Sequence, residues 1–300
     1  MSELKFLEVG PRDGLQNEKT LLSLKDKVEF VIKLAQAGLT RIELGAFVSP
    51  KWVPQMENSL ELAQTILTLQ KENKIDSQVK FSALVPNQKG LDKALESGLK
   101  EISVFLSATD SFSKKNINAD REESYKKYQS ICKQALKENL KLRAYLSVCF
   151  DCPYEGKVSL KEVLEWVQKI EELGVYEISI SDTTGKAQPE EVEGLLSQLL
   201  KQTSKEKLAC HFHNVHGMAL ANVWASYKMG IRSFDGSLGG LGGCPYSKVP
   251  SGNVPTESLI YLLKGSKEPL IKKLLPVAHW LEKKLEKKLP SPLLKSPYYI

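Results

Sequence analysis

AQAGLTRIEL (35–44), LESGLKEISV (95–104), EELGVYEISI (171–180) and YKMGIRSFDG (227–236) are four versions of one phrase: a helix end, a glycine, then a β-branched or alternating apolar run. Each glycine, Gly38, Gly98, Gly174 and Gly230, offers the left-handed turn that closes a helix, and the run after it reads as a strand. The glycines are spaced 60, 76 and 56 residues apart, room for two strand–helix units each time. Intervening strands are legible at 5–9, 79–85, 140–148 and 207–212. Between strands, apolar residues recur at helical spacing, as in Leu24, Val28, Val31 and Ala35, or Val163, Trp166, Ile170 and Leu173. Eight such units in roughly 260 residues predict a parallel (β/α)8 TIM barrel. A doubly wound open sheet is the competing fold, but no Gly-x-Gly-x-x-Gly follows the first strand.

Beyond Pro255 the alternation lapses into helical sequence broken at Pro269, Pro276 and Pro290, expected to pack across one end of the barrel. The predicted division is a catalytic barrel over 1–264 and a helical extension over 265–300, with no long Gly, Ser or Pro linker between them. That extension holds eight Lys against three Glu, so it carries +5 of the net charge of +6. Its lysines alternate with Leu274, Leu275, Ala278, Leu281 and Leu285, which reads as an amphipathic helix with a solvated face; a docking surface for anions is the alternative. The rest of the chain is nearly neutral, and no nucleic-acid partner is expected.

A composition of 42% hydrophobic and 26% charged residues is that of an ordinary soluble globular chain. Charged residues interrupt every apolar stretch before it reaches the roughly 18 to 20 residues a bilayer crossing needs. No basic segment followed by a long apolar one opens the sequence, so a cytoplasmic location is expected. Five cysteines, an odd number, fit reduced thiols. The lone Cys149-x-x-Cys152 runs into a turn and is a weak metal or redox signal.

In a barrel of this kind the active site lies where the strands end. The first strand ends in Gly10-Pro11-Arg12-Asp13, the second carries Glu43, the sixth Ser179 and Asp182, and the seventh ends in His211-Phe212-His213-Asn214. Cys244 and Asn253 follow the eighth. Residues i and i+2 of a strand share a face, so His211 and His213 can converge on one ion, with Asp13 as an oxygen partner. Such a mixed set suits a divalent cation such as Mg2+ or Mn2+, whereas structural zinc usually takes more thiolates. Arg12 next to that ion can offer its fixed charge to a developing enolate oxygen; in an arbitrary loop Arg12-Asp13 would be an exposed pair. Four glycines lie within 239–243, just before Cys244. That loop reads as a mobile lid that delivers an acid/base thiol, against the plainer reading of a hinge with an incidental cysteine.

The runs GPRDGLQNEK (10–19), FVSPKWVPQM (47–56), FSKKNIN (112–118), CPYEGK (152–157) and GGLGGCPYS (239–247) closely resemble the 3-hydroxy-3-methylglutaryl-CoA lyase family, a branch of the metal-dependent acyl-CoA lyases and synthases, over residues 4–264. The resemblance implies retro-Claisen cleavage of that thioester to acetyl-CoA and acetoacetate, in leucine breakdown and ketone-body formation. It implies Asp13, His211, His213 and Asn253 as metal ligands, and Arg12, Cys244, Asp182, Glu43 and His211 as catalytic groups. It implies Arg12, Gln16, Lys19 and Ser179 at the substrate, and a possible homodimer. Departures from the family pattern are Asn214-Val215-His216, Leu44-Gly45-Ala46 and Lys248-Val249-Pro250, which raise the expectation of an altered acyl pocket. A condensing synthase of the isopropylmalate or homocitrate type is the nearest rival, but the Gly-Gly-Cys loop is present and there is no room for a regulatory domain. A barrel that had lost catalysis and acted as a partner protein would be expected to lack Arg12 or Cys244, and both are present.

Overall fold

The computed structural model describes residues 3–243 and 252–298. Its strands in chain order are β1 (Lys5–Glu8), β2 (Arg41–Ala46), β3 (Lys80–Leu84), β4 (Glu101–Ser107), β5 (Lys141–Ser147), β6 (Asp151–Cys152), β7 (Gly156–Lys157), β8 (Glu177–Asp182), β9 (Leu208–Phe212) and β10 (Ser233–Gly236). β6 and β7 form a small antiparallel hairpin. The other eight close into one parallel barrel in the order β1-β2-β3-β4-β5-β8-β9-β10, with β10 returning to β1. The predicted (β/α)8 barrel is therefore the fold.

The helices are α1 (Leu24–Ala37), α2 (Ser59–Lys71), α3 (Gln88–Ser97), α4 (Asp110–Ile117), α5 (Arg121–Lys137), α6 (Leu160–Glu172), α7 (Pro189–Leu199), α8 (Ala219–Lys228), α9 (Thr256–Lys264) and α10 (Pro269–Leu285). The four glycines that announced the fold all have positive φ: 113° at Gly38, 82° at Gly98, 78° at Gly174 and 98° at Gly230. On α6 the buried stripe is Val163, Trp166, Val167 and Ile170, as its periodicity predicts. On α1 the fully buried stripe is Lys27, Phe30, Val31, Leu34 and Ala37, while Leu24, Val28 and Ala35 are only partly covered. The stripe turns because Lys27 lays its stem against the core and finds the carbonyl of Gln55 for its ammonium.

The extension departs from expectation in two ways. Pro276 lies inside a continuous α10, on its exposed face. Nor does the helix lie across an end of the barrel: it packs against both α1 and α9, within the outer ring. Its apolar stripe, Ile271, Leu274, Ala278, Leu281 and Leu285, runs its full length and needs an equally long apolar wall, which the ring provides; Trp280 stacks on Phe30 with centroids 6.1 Å apart.

The lower barrel interior is charged. Arg143, fully buried, bonds Glu177 Oε2 and Asp235 Oδ1, each at 2.7 Å, and Arg41 reaches the same Glu177 oxygen at 3.0 Å. Removing one partner of such a buried pair strands a charge, at a cost of about 3–5 kcal/mol. The network forms a rigid floor beneath the C-terminal mouth of the barrel.

Candidate active site

A single widened helical turn, Gly10–Gly14, follows β1 and lifts Arg12 and Asp13 to the barrel mouth. β9 ends in the His-x-His pair, whose rings lie 5.2 Å apart. Asp13 faces both: its Oδ2 is 3.9 Å from His211 Nε2 and 3.8 Å from His213 Nε2. One ligand atom from each of the three residues lies within 4.8 Å of the others. Segment 252–254 runs beside the end of β9, bonded from Val254 N to Phe212 O and from Asn214 N to Gly252 O. That places Asn253, which donates from Nδ2 to Asp13 Oδ2 at 2.7 Å and to Leu241 O at 3.3 Å. Gly242 is required alongside: its φ is 130°, and a Cβ there would come 2.9 Å from Asn253 Nδ2.

These groups fit a divalent cation. Burial pushes the Asp13 carboxyl up, but Arg12 and the two histidines outweigh it and hold the group well below the usual carboxylate range, so it is ionised. His211 turns Nδ1 to Asp235 Oδ2 at 3.3 Å and Nε2 toward Asp13. A carboxylate oxygen and imidazole nitrogens opposed at this distance suit a positive ion between them. The structure supports a divalent metal here without selecting the element.

Arg12 is fixed from three sides. It bonds Asp13 Oδ1 and Glu43 Oε2, each at 2.5 Å, and its guanidinium lies 5.0 Å from the centre of the Tyr145 ring. Tyr145 donates to the same Glu43 oxygen at 3.0 Å. Glu43 is fully buried, and its Oε1 has no hydrogen-bond partner among the described residues. Arg12, Asp13, Gln16, His211 and His213 line a cavity of about 720 Å3, large enough for an extended ligand. Lys115 and Lys127 stand farther along its wall, as does Trp52, which is 86% exposed.

Other candidates lie outside this lining. Ser179 sits a layer below, its hydroxyl donating to Asp235 Oδ2 at 2.8 Å. Asp182 is buried, and the backbone N–H groups of Lys186 and Ala187 donate to its carboxylate at 3.2 and 3.0 Å; burial raises its proton affinity. Lys19 is exposed. Cys244 and Lys248-Val249-Pro250 lie outside the described residues. Cys149 and Cys152 are free and buried; Cys149 donates to Leu146 O and Cys152 accepts from Thr109. Two departures from the family pattern, Leu44-Gly45-Ala46 and Asn214-Val215-His216, are not among the residues that line the cavity. A Cβ on Gly45 would meet Ser59 Oγ at 2.6 Å, toward α2, and Asn214 accepts from Ala219 N at the start of α8.

Sequence reasoning passed over Tyr145, Arg143 and Asp235. Their signal is present but faint: a charge in mid-strand in LRAYLSV and another in SFDG, at alternate positions of otherwise buried strands. It also passed over the C-terminal tie to the rim. Lys287 pairs with Glu18, Thr20 donates to Leu285 O, and Ser291 N donates to Gly239 O at 3.1 Å, at the start of the glycine-rich loop.

Comparison with known proteins agrees with this geometry. The chain is 42% identical over 287 residues to hydroxymethylglutaryl-CoA lyase YngG of Bacillus subtilis, covering 95% of this chain and 94% of that one. It is 42% identical to a 3-hydroxy-3-isohexenylglutaryl-CoA/hydroxymethylglutaryl-CoA lyase of Pseudomonas aeruginosa, over 88% of this chain and 85% of that one. An HMG-CoA lyase from Acinetobacter baumannii, solved in complex with coenzyme A and 3-methylmalate, superimposes with a TM-score of 0.90 at 34% identity, covering 98% of this chain and 95% of that one. With a family model described as HMGL-like matching residues 3–282, the chain belongs to the HMGL-like family.

Proposed function

We propose that this protein is a hydroxymethylglutaryl-CoA lyase, a carbon–carbon lyase that cleaves 3-hydroxy-3-methylglutaryl-CoA to acetyl-CoA and acetoacetate. The observation that carries the reading is the convergence of Asp13, His211 and His213 on the cavity floor with Arg12 beside them. In this reading Asp13, His211, His213 and Asn253 hold Mg2+ or Mn2+. When bound, the cation acidifies a coordinated hydroxyl and stabilises negative charge on oxygen.

The remaining work falls to the chain's own side chains. Glu43 and Tyr145 hold the Arg12 guanidinium still, so that its charge is already in place when the thioester oxygen becomes an enolate oxygen. A base takes the proton of the tertiary hydroxyl, and the bond between the hydroxyl-bearing carbon and the acetyl unit then breaks; Asp182, buried outside the cavity lining with a raised proton affinity, is assigned to support that step from beside His213. Cys244 is assigned delivery of a proton to the enolate carbon. Gln16 in the cavity wall is assigned a contact to the thioester arm, with Lys115 and Lys127 meeting its phosphates; Lys19, exposed and outside that lining, is assigned to the CoA chain on the resemblance alone. Ser179 supports the site from below, and the proposed assembly is a homodimer.

Acetoacetate release from 3-hydroxy-3-methylglutaryl-CoA, with Mg2+ and with chelator, tests the reading. Release should need metal and vanish in His211→Ala. Cys244→Ala should still bind metal but turn over slower by roughly a factor of 100 to 10,000, the size of a lost acid/base group. A protein that binds metal yet releases no acetoacetate would count against this substrate and favour a related 3-hydroxyacyl-CoA.

A further inference from the structure

We propose that Asp235, which the sequence did not single out, is a positioning residue that sets the tautomer and aim of His211 and through them the affinity of the metal centre. The inference rests on the metal part of the reading above. Asp235 sits on β10 with both oxygens engaged: Oδ1 accepts from Arg143 Nη2 at 2.7 Å, and Oδ2 accepts from Ser179 Oγ at 2.8 Å and faces His211 Nδ1 at 3.3 Å. It is 2% exposed and Arg143 is fully buried, so neither can swing away. An ionised carboxylate only accepts hydrogen bonds, so the proton of a neutral His211 ring must sit on Nδ1. Nε2 is then the lone-pair nitrogen, and it is the one turned toward Asp13 at 3.9 Å. A carboxylate behind a ligating imidazole also raises its basicity, and loss of such a partner typically weakens metal binding by roughly 10- to 100-fold.

The network predicts how Asp235→Asn fails. Arg143 only donates, so it would claim the amide oxygen and turn the amide NH2 toward His211. That NH2 donates to Nδ1, which moves the ring proton to Nε2 and points it at the place of the cation. His213, whose Nε2 also faces Asp13, is not touched by this change.

The test is Mn2+ affinity by calorimetry, together with nitrogen NMR of the imidazoles, in the full chain. With four histidines the spectrum is small, and His213→Gln, His216→Gln and His279→Gln, each removing one ring, assign the fourth to His211. The expected results are an Nδ1-protonated His211 in the wild type and, in Asp235→Asn, an Nε2-protonated ring with Mn2+ affinity lower by roughly 10- to 100-fold, both read well below a melting temperature that the weakened Arg143 pair lowers. Wild-type spectra showing the Nε2-protonated tautomer overturn the proposal without any variant, so it stays testable if Asp235→Asn fails to fold. Equal affinities in wild type and variant overturn it while leaving the metal reading intact. A wild type that takes up no Mn2+ overturns both.

Discussion

Glu8 shows what one buried carboxylate does outside the reaction. On the outer side of β1 its Oε1 accepts the N–H groups of Gly10 at 2.8 Å and Leu238 at 2.9 Å, and its Oε2 accepts the Thr256 hydroxyl at 2.6 Å. Burial pushes its pKa from 4.5 to about 7, with Glu257 adding to the rise and the three hydrogen bonds opposing it. The folded state thus keeps a proton that the unfolded chain gives up near its ordinary value. The resulting stability is fully present below about pH 4.5 and is lost as pH rises through about 7, a change of about 3 kcal/mol. Glu8→Gln copies the protonated form: its oxygen can still accept two N–H groups and its NH2 can donate to Thr256. Urea unfolding at pH 5 and pH 8 should therefore show a wild-type loss that the variant largely escapes; parallel losses would refute the assignment. At this scale His211 and His213 were legible because their spacing forces them to one face of a strand end, and Asp13 because it stands where the first strand ends. Asp235 and Tyr145 were not, because their partners Arg143 and Glu43 are remote in sequence and only barrel closure brings them together.

Among the elements, the helix-ending glycines separate conformational strain from crowding. At Gly98 a Cβ would meet nothing closer than 3.7 Å, so Gly98→Ala pays only for its φ of 82°. That strain is about 1–2 kcal/mol. At Gly174 the φ is 78°, nearly the same, but a Cβ would come 2.7 Å from Leu136 Cδ1. Gly174→Ala should therefore cost more than Gly98→Ala in denaturant midpoints at unchanged slope, and equal costs would show that Leu136 yields freely. The glycines could be read from sequence because their conformation is local. The stripe of α1 was misjudged at Lys27 because the carbonyl that accepts its ammonium belongs to Gln55, a partner no periodicity reveals.

For the whole molecule, the proposed metal centre joins segments far apart in the chain: Asp13 after β1, the histidines at the end of β9, and, as the proposed fourth ligand, Asn253 beyond β10. An ion held by all of them binds the folded barrel and not the open chain, so it should act as a tether. Mn2+ at about 100 times its dissociation constant should add about 2.7 kcal/mol and raise the melting temperature, and Asp13→Asn should abolish that rise. A melting temperature indifferent to Mn2+ would contradict the tether. The barrel itself was legible because eight alternating units leave few other ways to bury the strands. The seat of α10 was not, because an amphipathic stripe says that a helix is covered but not by which neighbour. Residues 285–291 bind the loop after β1 through Thr20 and Glu18 and meet the glycine-rich loop at Gly239. Anyone trimming this protein after Leu285 to obtain a minimal barrel would thus unfasten the rim itself, and a label attached in that tail would report on the mouth of the barrel, not on a passive end.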